Sequence, residues 1–230
     1  MDWVWDNFFG GSNPIAELTL DHIGLCVLPI VIGFLVSIPL GYWASRSAPA
    51  RSVLLGLFSI LYTLPSIVLF VVVPIALGLA ILDPNNVIVA LTLYAVAIMV
   101  RSSSDAFSSV SADVRESARA VGYSAWQRFF RVELPLAGPV LLAGVRIVSV
   151  STVSLATVGV FIGIPSLGNL FTDAFYRAIP IEAVAGIVMV LLIALVFDII
   201  LTTIARILLP WNRRKSRRGA ARGAAREVAA

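Results

Sequence analysis

The chain has little of what enzymes use for chemistry. Cys26 and His22 are the single cysteine and the single histidine in 230 residues. An internal disulfide, a cysteine-based metal cluster and a multi-histidine metal site are therefore excluded. Lysine is almost absent. All but one of the 17 basic residues are Arg, and Lys215 lies in a charged tail with no glycine-rich loop before it. The chain thus has no P-loop and cannot bind ATP by that device. If ATP drives the protein, another subunit hydrolyses it. Charge is also scarce, at 13% of residues, about half the usual share of roughly 25%. Apolar residues are what is abundant. They make up 59% of the chain, with a mean hydropathy of +0.96. A soluble fold this apolar could not cover its surface with polar groups, and a disordered chain would not carry so many apolar residues. The composition points to an all-α, polytopic membrane protein.

Five apolar runs divide the chain. The first, His22 to Ala44, is long enough to cross about 30 Å of hydrocarbon at 1.5 Å per residue. Asn13-Pro14 ahead of it reads as an N-cap followed by proline at the first helical position. The second, Val53 to Leu82, is too long for one straight span and too short for two. We expect one span, kinked or broken at Tyr62-Thr63-Leu64-Pro65. Asp83-Pro84-Asn85-Asn86 reads as a turn. The third run, from Val87, stops at Arg101, and its helix is expected to extend to about Ser104. The fourth and fifth are 136–162 and 183–209. Residues 105–135 are the long polar connection, and 163–182 a polar loop or short helix. Residues 1–21, with Trp3, Trp5, Phe8 and Phe9, suit an external interfacial segment. Asp2 and Asp6 stand where a signal peptide would be basic. Residues 210–230 form a basic tail, read as a solvated topology signal or a contact for anionic lipid headgroups.

With five spans, Arg46, Arg51, Arg101, Arg115, Arg119, Arg128, Arg131, Arg206 and the tail cations fall on one side. Arg177 is the one cation opposite. The positive-inside rule places the N-terminus outside and the C-terminus in the cytoplasm.

The cytoplasmic connection reads as helix, glycine turn, helix. Asp113 with Glu116 is close to a capping box, and Ser124 with Gln127 is a second one. Gly122 suits a left-handed C-cap between them. The second helix is expected to run to about Val132 and to stop near Pro135, because the residue before proline avoids helical angles. Such a segment could be an inert loop, a DNA-binding motif or a docking element for a cytoplasmic partner. The DNA reading fails for want of a core, so no nucleic acid is expected. Ala118 and Ala120 beside a glycine turn allow close approach, and Trp126, Phe129 and Phe130 supply anchors.

Glu116-Ser117-Ala118-Arg119-Ala120-Val121-Gly122, followed after nine residues by Val132-Glu133-Leu134-Pro135, resembles the EAA motif of permease subunits in binding-protein-dependent ABC importers. Every fixed position of that pattern is matched in spacing, with Ser117 for Ala and Val132 for Ile. Leu64-Pro65-Ser66, Tyr94 to Arg101, Leu134-Pro135 to Arg146, and Gly163 with Leu167-Gly168-Asn169 are similar to permeases for quaternary-ammonium osmoprotectants. Pro165-Ser166 stand where that subfamily carries a glycine-rich run. The resemblance covers roughly residues 20 to 209. It implies a type I, MetI-like permease fold and uptake of glycine betaine, choline, carnitine or proline betaine. Methionine permeases share the architecture and stay open as an alternative, as do a non-ABC carrier and a membrane scaffold. The implied partners are cytoplasmic ATP-binding subunits, which would use ATP and Mg, a second permease copy or paralogue, an extracytoplasmic solute-binding protein and membrane lipids. The chain itself would bind no cofactor. Glu116, Ser117, Ala118, Ala120, Gly122, Trp126, Leu134 and Pro135 would couple it to the ATPase.

Polar residues within the spans are candidates for a solute path: Tyr62, Thr63 and Ser66 beside Pro65, and Ser149, Thr152 and Ser154. Each could equally bond one helix to another. Arg146 and Asp198 are the ionisable residues deep in spans, where charge is costly and usually paired or functional. Both lie roughly 16 Å from the cytoplasmic ends of their helices at 1.5 Å per residue, so a structural pair is favoured over a substrate contact.

Overall fold

A computed structural model describes residues 8, 10, 14–78, 80 and 82–211. Trp3, Trp5 and Phe9, the expected cap Asn13 and the tail 212–230 lie outside the described residues. Nearly all the rest is helix, and no strand occurs among the described residues.

Helix α1 spans Ile15–Arg46, with Pro14 rather than Asn13 at its N-cap position. It therefore takes in residues 15–21, expected as part of the external segment. Ser47 breaks the helix, and its hydroxyl accepts from the Ala50 amide at 3.4 Å to start α2, Ala48–Thr63. Helix α3 comes next as Ser66–Leu77. The α2 and α3 axes meet at 106°. Proline explains the break: Leu64 is extended at φ −68°, ψ 138°, as a residue before proline prefers. The run from Val53 to Leu82 is thus two helices at a sharp bend.

Asp83 caps α4, Pro84–Ser108, by accepting from the Asn85 amide at 2.9 Å, with Pro84 in the first turn. Helix α4 runs through the polar stretch beyond Arg101, as expected, and it is the central helix. Buried Leu91, Met99 and Phe107 lie along it. Glycines bring its neighbours close. A Cβ on Gly33 of α1 would stand 2.5 Å from the Ala95 Cβ, and one on Gly144 would stand 2.5 Å from the Ser102 Cβ. Small residues at such crossings let helix backbones pack by van der Waals contact, the main attraction left where lipid is as apolar as leucine.

Two short helices come after α4: α5 at Ala112–Ala120 and α6 at Ala125–Arg128. The chain then does not stop at Pro135. A π-helical turn, Phe129–Glu133, leads directly into α7, Leu134–Ala156. Leu134 is helical at φ −62°, ψ −46°, and its amide donates to the Phe129 carbonyl five residues back. The wide turn gives the proline ring room that an α-turn would deny it. A 3₁₀ turn, Thr157–Ile162, ends α7 at Gly163. Helices α8, Gly168–Arg177, and α9, Pro180–Leu208, complete the chain.

Among the described residues, four stretches are helical, long and apolar enough to cross a membrane: α1, α4, the continuous run Ala125–Ile162, and α9. The bent pair α2–α3 makes a fifth if it crosses as one broken span.

Candidate functional site

The segment between α4 and α7 is punctuated locally. The cap of α5 is Ser111, whose hydroxyl accepts from the Val114 amide at 3.4 Å. Asp113, expected as the cap, lies in the first turn instead. Glu116 is then too far along to close a capping box. At the other end, Gly122 is left-handed at φ 86°. The Gly122 amide donates to the Arg119 carbonyl at 2.9 Å and the Tyr123 amide to that of Ala118 at 3.1 Å. Those two bonds form a Schellman motif, which a positive φ at its glycine makes possible. Ser124 and Gln127 close a reciprocal capping box at the start of α6. The result is a rigid hairpin. Ala118 is buried within it, while Glu116, Ser117 and Ala120 face outward. Trp126 is 74% exposed and Val121 76%, a large apolar area that the described residues leave open. Leu134 and Pro135 are half-buried at the start of α7.

A charge cluster that sequence reading missed fixes the hairpin's base. The Glu133 carboxylate is 1% exposed. It accepts from Arg128 Nε at 2.8 Å and also from Arg46 at the end of α1. The Arg46 guanidinium lies 4.6 Å from the Tyr42 ring centre. Tyr42 packs edge-on against Phe107 of α4 and Phe129 of the π turn. The ends of α1, α4 and α6 are thereby joined at one point. The clue in the sequence was one acid among Arg128 and Arg131, immediately before Leu134-Pro135.

At the other candidate region a cavity of about 450 Å³ opens beside the α2–α3 break. Tyr62, Leu64 and Ser66 line it from the break, Tyr94 from α4, and Val150, Ser151, Ser154 and Leu155 from α7. The Tyr62 and Tyr94 rings are 6.1 Å apart and nearly perpendicular. The Tyr94 hydroxyl donates to the Leu64 carbonyl, one of the groups freed by the break. The structure therefore brings together three of the expected path residues, Tyr62, Ser66 and Ser154. Thr63 is exposed and bonds its own helix through the Ile60 carbonyl at 2.7 Å, and Pro65 is exposed without lining the cavity. Ser149 and Thr152 are buried in helix packing away from it. Tyr94 and Ser151 were missed. Their place on the cavity comes from helix packing, which no local pattern records.

Arg146 and Asp198 meet as a two-pronged ion pair. Nε donates to Oδ1 at 2.5 Å and Nη2 to Oδ2 at 2.8 Å, joining α7 to α9. Neither lines the cavity. Both side chains are partly exposed on the single chain, at 46% and 32%. His22 and Cys26, near the other end of α1, bond the Val153 and Thr152 carbonyls of α7 and serve packing.

Comparison with known proteins agrees with this layout. The family described as "Binding-protein-dependent transport system inner membrane component" matches residues 20–214. The osmoprotectant import permease protein OsmW of Salmonella typhimurium is 30% identical, over 85% of this chain and 92% of its own. The choline transport system permease protein OpuBB of Bacillus subtilis is also 30% identical, over 84% and 87%. Among solved structures, the inward-facing MetNI methionine ABC transporter superposes with a TM-score of 0.70 at 20% identity, covering 82% of this chain and 95% of that one. At that identity the likeness establishes the fold alone. Membership of the matched family implies an ATPase, a substrate-binding protein and a paired permease as partners. The chain belongs to the binding-protein-dependent transport inner-membrane components: it is a membrane-embedded permease subunit of an ABC importer and not an enzyme, and a separate subunit hydrolyses the ATP.

Proposed function

We propose that this permease carries a quaternary-ammonium osmoprotectant inward: glycine betaine, choline, carnitine or proline betaine. The observation that carries the reading is the capped hairpin α5–α6, whose exposed Trp126 and Val121 form a docking surface for the ATPase. The substrate class rests on relatives whose names include osmoprotectant and choline transport. Amino-acid transporters of the same fold are 20% identical or less, too distant to inform the substrate.

In this reading the N-terminus is outside and the C-terminus cytoplasmic, which the arginine distribution supports. The solute-binding protein delivers its cargo to the outer face. A second permease, an identical copy or a paralogue, completes the path beside the cavity at Tyr62, Ser66 and Ser154. The ATPase binds ATP and Mg and pushes on the hairpin as it closes. Trp126 and Ser151 lie on one continuous helical run, roughly 38 Å apart at 1.5 Å per residue. A push at the hairpin therefore moves the cavity wall directly. Arg146–Asp198 holds α9 to that moving helix. Alternating access is then a two-state equilibrium, biased by ATP and by the loaded binding protein.

The test uses vesicles holding the permease with its ATPase and its binding protein. ATP-dependent choline or glycine betaine uptake is expected. Gly122→Asp lies outside the bilayer and should leave the permease in the membrane. It forces a side chain into a left-handed turn, at about 1 kcal/mol, and into the docking surface. Uptake and ATPase co-purification should both be lost. Normal coupling in Gly122→Asp would remove the hairpin from the docking role.

A further inference from the structure

The cavity beside the α2–α3 break has the chemistry of a site for an organic cation. We infer that Tyr62 and Tyr94 hold the trimethylammonium head of the solute within this subunit. The inference rests on the quaternary-ammonium reading above and extends it to two named side chains.

Four observations converge. The rings stand 6.1 Å apart at 79°, so they form two walls of a corner and not a closed stack. Tyr62 is 51% exposed, which leaves its ring open to a ligand. The Tyr94 hydroxyl is spent on the Leu64 carbonyl, and that bond fixes its ring in place. None of the described residues lining the cavity is charged, and Ser66, Ser151 and Ser154 line it together with Val150 and Leu155. A methylated ammonium is a cation with an apolar surface. It gains from aromatic faces through the ring quadrupole and needs no carboxylate. The serine hydroxyls suit the polar end of the same molecule, a hydroxyl or a carboxylate. Absence of a carboxylate also disfavours tight capture, which a path must avoid.

The test separates the site from the substrate class. Choline and its neutral carbon isostere, 3,3-dimethylbutan-1-ol, are added in turn to the purified permease–ATPase complex without binding protein. Saturation-transfer NMR reads contact between the protein and the ligand methyl groups. Choline should give a signal that saturates, and the isostere should bind at least about tenfold more weakly, as expected for a cation–π contact. Tyr62→Leu should weaken choline by about tenfold, whereas Tyr62→Phe, which keeps the ring face, should restore binding to within about threefold of wild type. Tyr94→Leu serves as a second ring-removing variant and should weaken choline as Tyr62→Leu does. Equal binding of choline and the isostere, or wild-type binding in Tyr62→Leu, overturns the aromatic site while vesicle uptake of choline continues. If wild-type vesicles take up no quaternary ammonium and the complex gives no choline signal, the substrate reading fails and the site fails with it.

Discussion

Two interruptions of helix, at Gly122 and at Leu64-Pro65, are built in opposite ways. At Gly122 the freed backbone groups are satisfied within a few residues. Ala118 and Arg119 accept from Tyr123 and Gly122, and Ser124 and Gln127 cap helix α6. At Leu64 the freed carbonyl is satisfied by Tyr94, thirty residues away on another helix. The difference comes from the surroundings. The exposed turn at Gly122 can use water for whatever its caps leave open. A break within an apolar run has no such reserve, so its polar groups need neighbouring protein or a water-lined cavity, and here Tyr94 of a neighbouring helix supplies the partner. A stiff local turn suits a docking surface, while a break held by a second helix moves when that helix moves.

The largest effect is expected at the base of the hairpin, where the ends of α1, α4 and α6 meet. Glu133→Gln removes the carboxylate shared by Arg128 and Arg46. It leaves Arg128, only 8% exposed, without a counter-charge, at a cost of about 3 kcal/mol. Thermal unfolding of the purified permease should fall accordingly. Hydrogen exchange should rise at the end of α1 as well as in α6. Exchange confined to α6 would mean that α1 is not tied to the hairpin through this residue.

The next effect tests the break itself. Tyr94→Phe keeps the ring and removes the donor to the Leu64 carbonyl. A carbonyl left without a donor in an apolar run costs about 2 kcal/mol. Thr63→Ala is the control, since Thr63 is exposed and bonds only within its own turn. Equal stability of the two variants would show that cavity water satisfies Leu64 unaided, and the contrast between the two interruptions would shrink to one of geometry.

The same contrast governs what was legible in the sequence. Apolar runs marked the helices, because a span must be long and apolar whatever it packs against. Gly122 and the Ser124–Gln127 box were legible because each is a local device with fixed spacing. Pro135 misled because the proline rule assumes an α-turn, and the chain uses a π turn there. Pro65 did stop its helix, yet the 106° bend is set by packing that no run of residues encodes. The cavity was half legible. Tyr62, Ser66 and Ser154 stood out as polar residues in apolar runs, but Ser149 and Thr152, hydroxyl residues five and two positions before Ser154, are buried in helix packing instead. Only the assembled bundle separates them. Arg146 and Asp198 were readable as partners because a charge at that depth has few alternatives.

The smallest effect decides between two caps two residues apart. Ser111 and Asp113 are both competent N-caps, and spacing to Glu116 favours Asp113. The structure instead has Ser111 accepting from the Val114 amide, with Asp113 in the first turn of α5. Ser111→Ala should therefore cost about 1 kcal/mol, enough to raise hydrogen exchange at Val114 by about fivefold. Asp113→Asn removes only a favourable charge near the helix N-terminus, about 0.5 kcal/mol, so exchange there should rise by about twofold. Both substitutions lie on the water side of the hairpin, and neither touches the Schellman turn at Gly122. The ATPase should still co-purify with each. If Asp113→Asn produces the larger change at Val114, Asp113 is the working cap and α5 starts two residues later. Trp126 and Gly122 would keep their register, but the first turn would release Ser111 and Ala112 to the connection after α4.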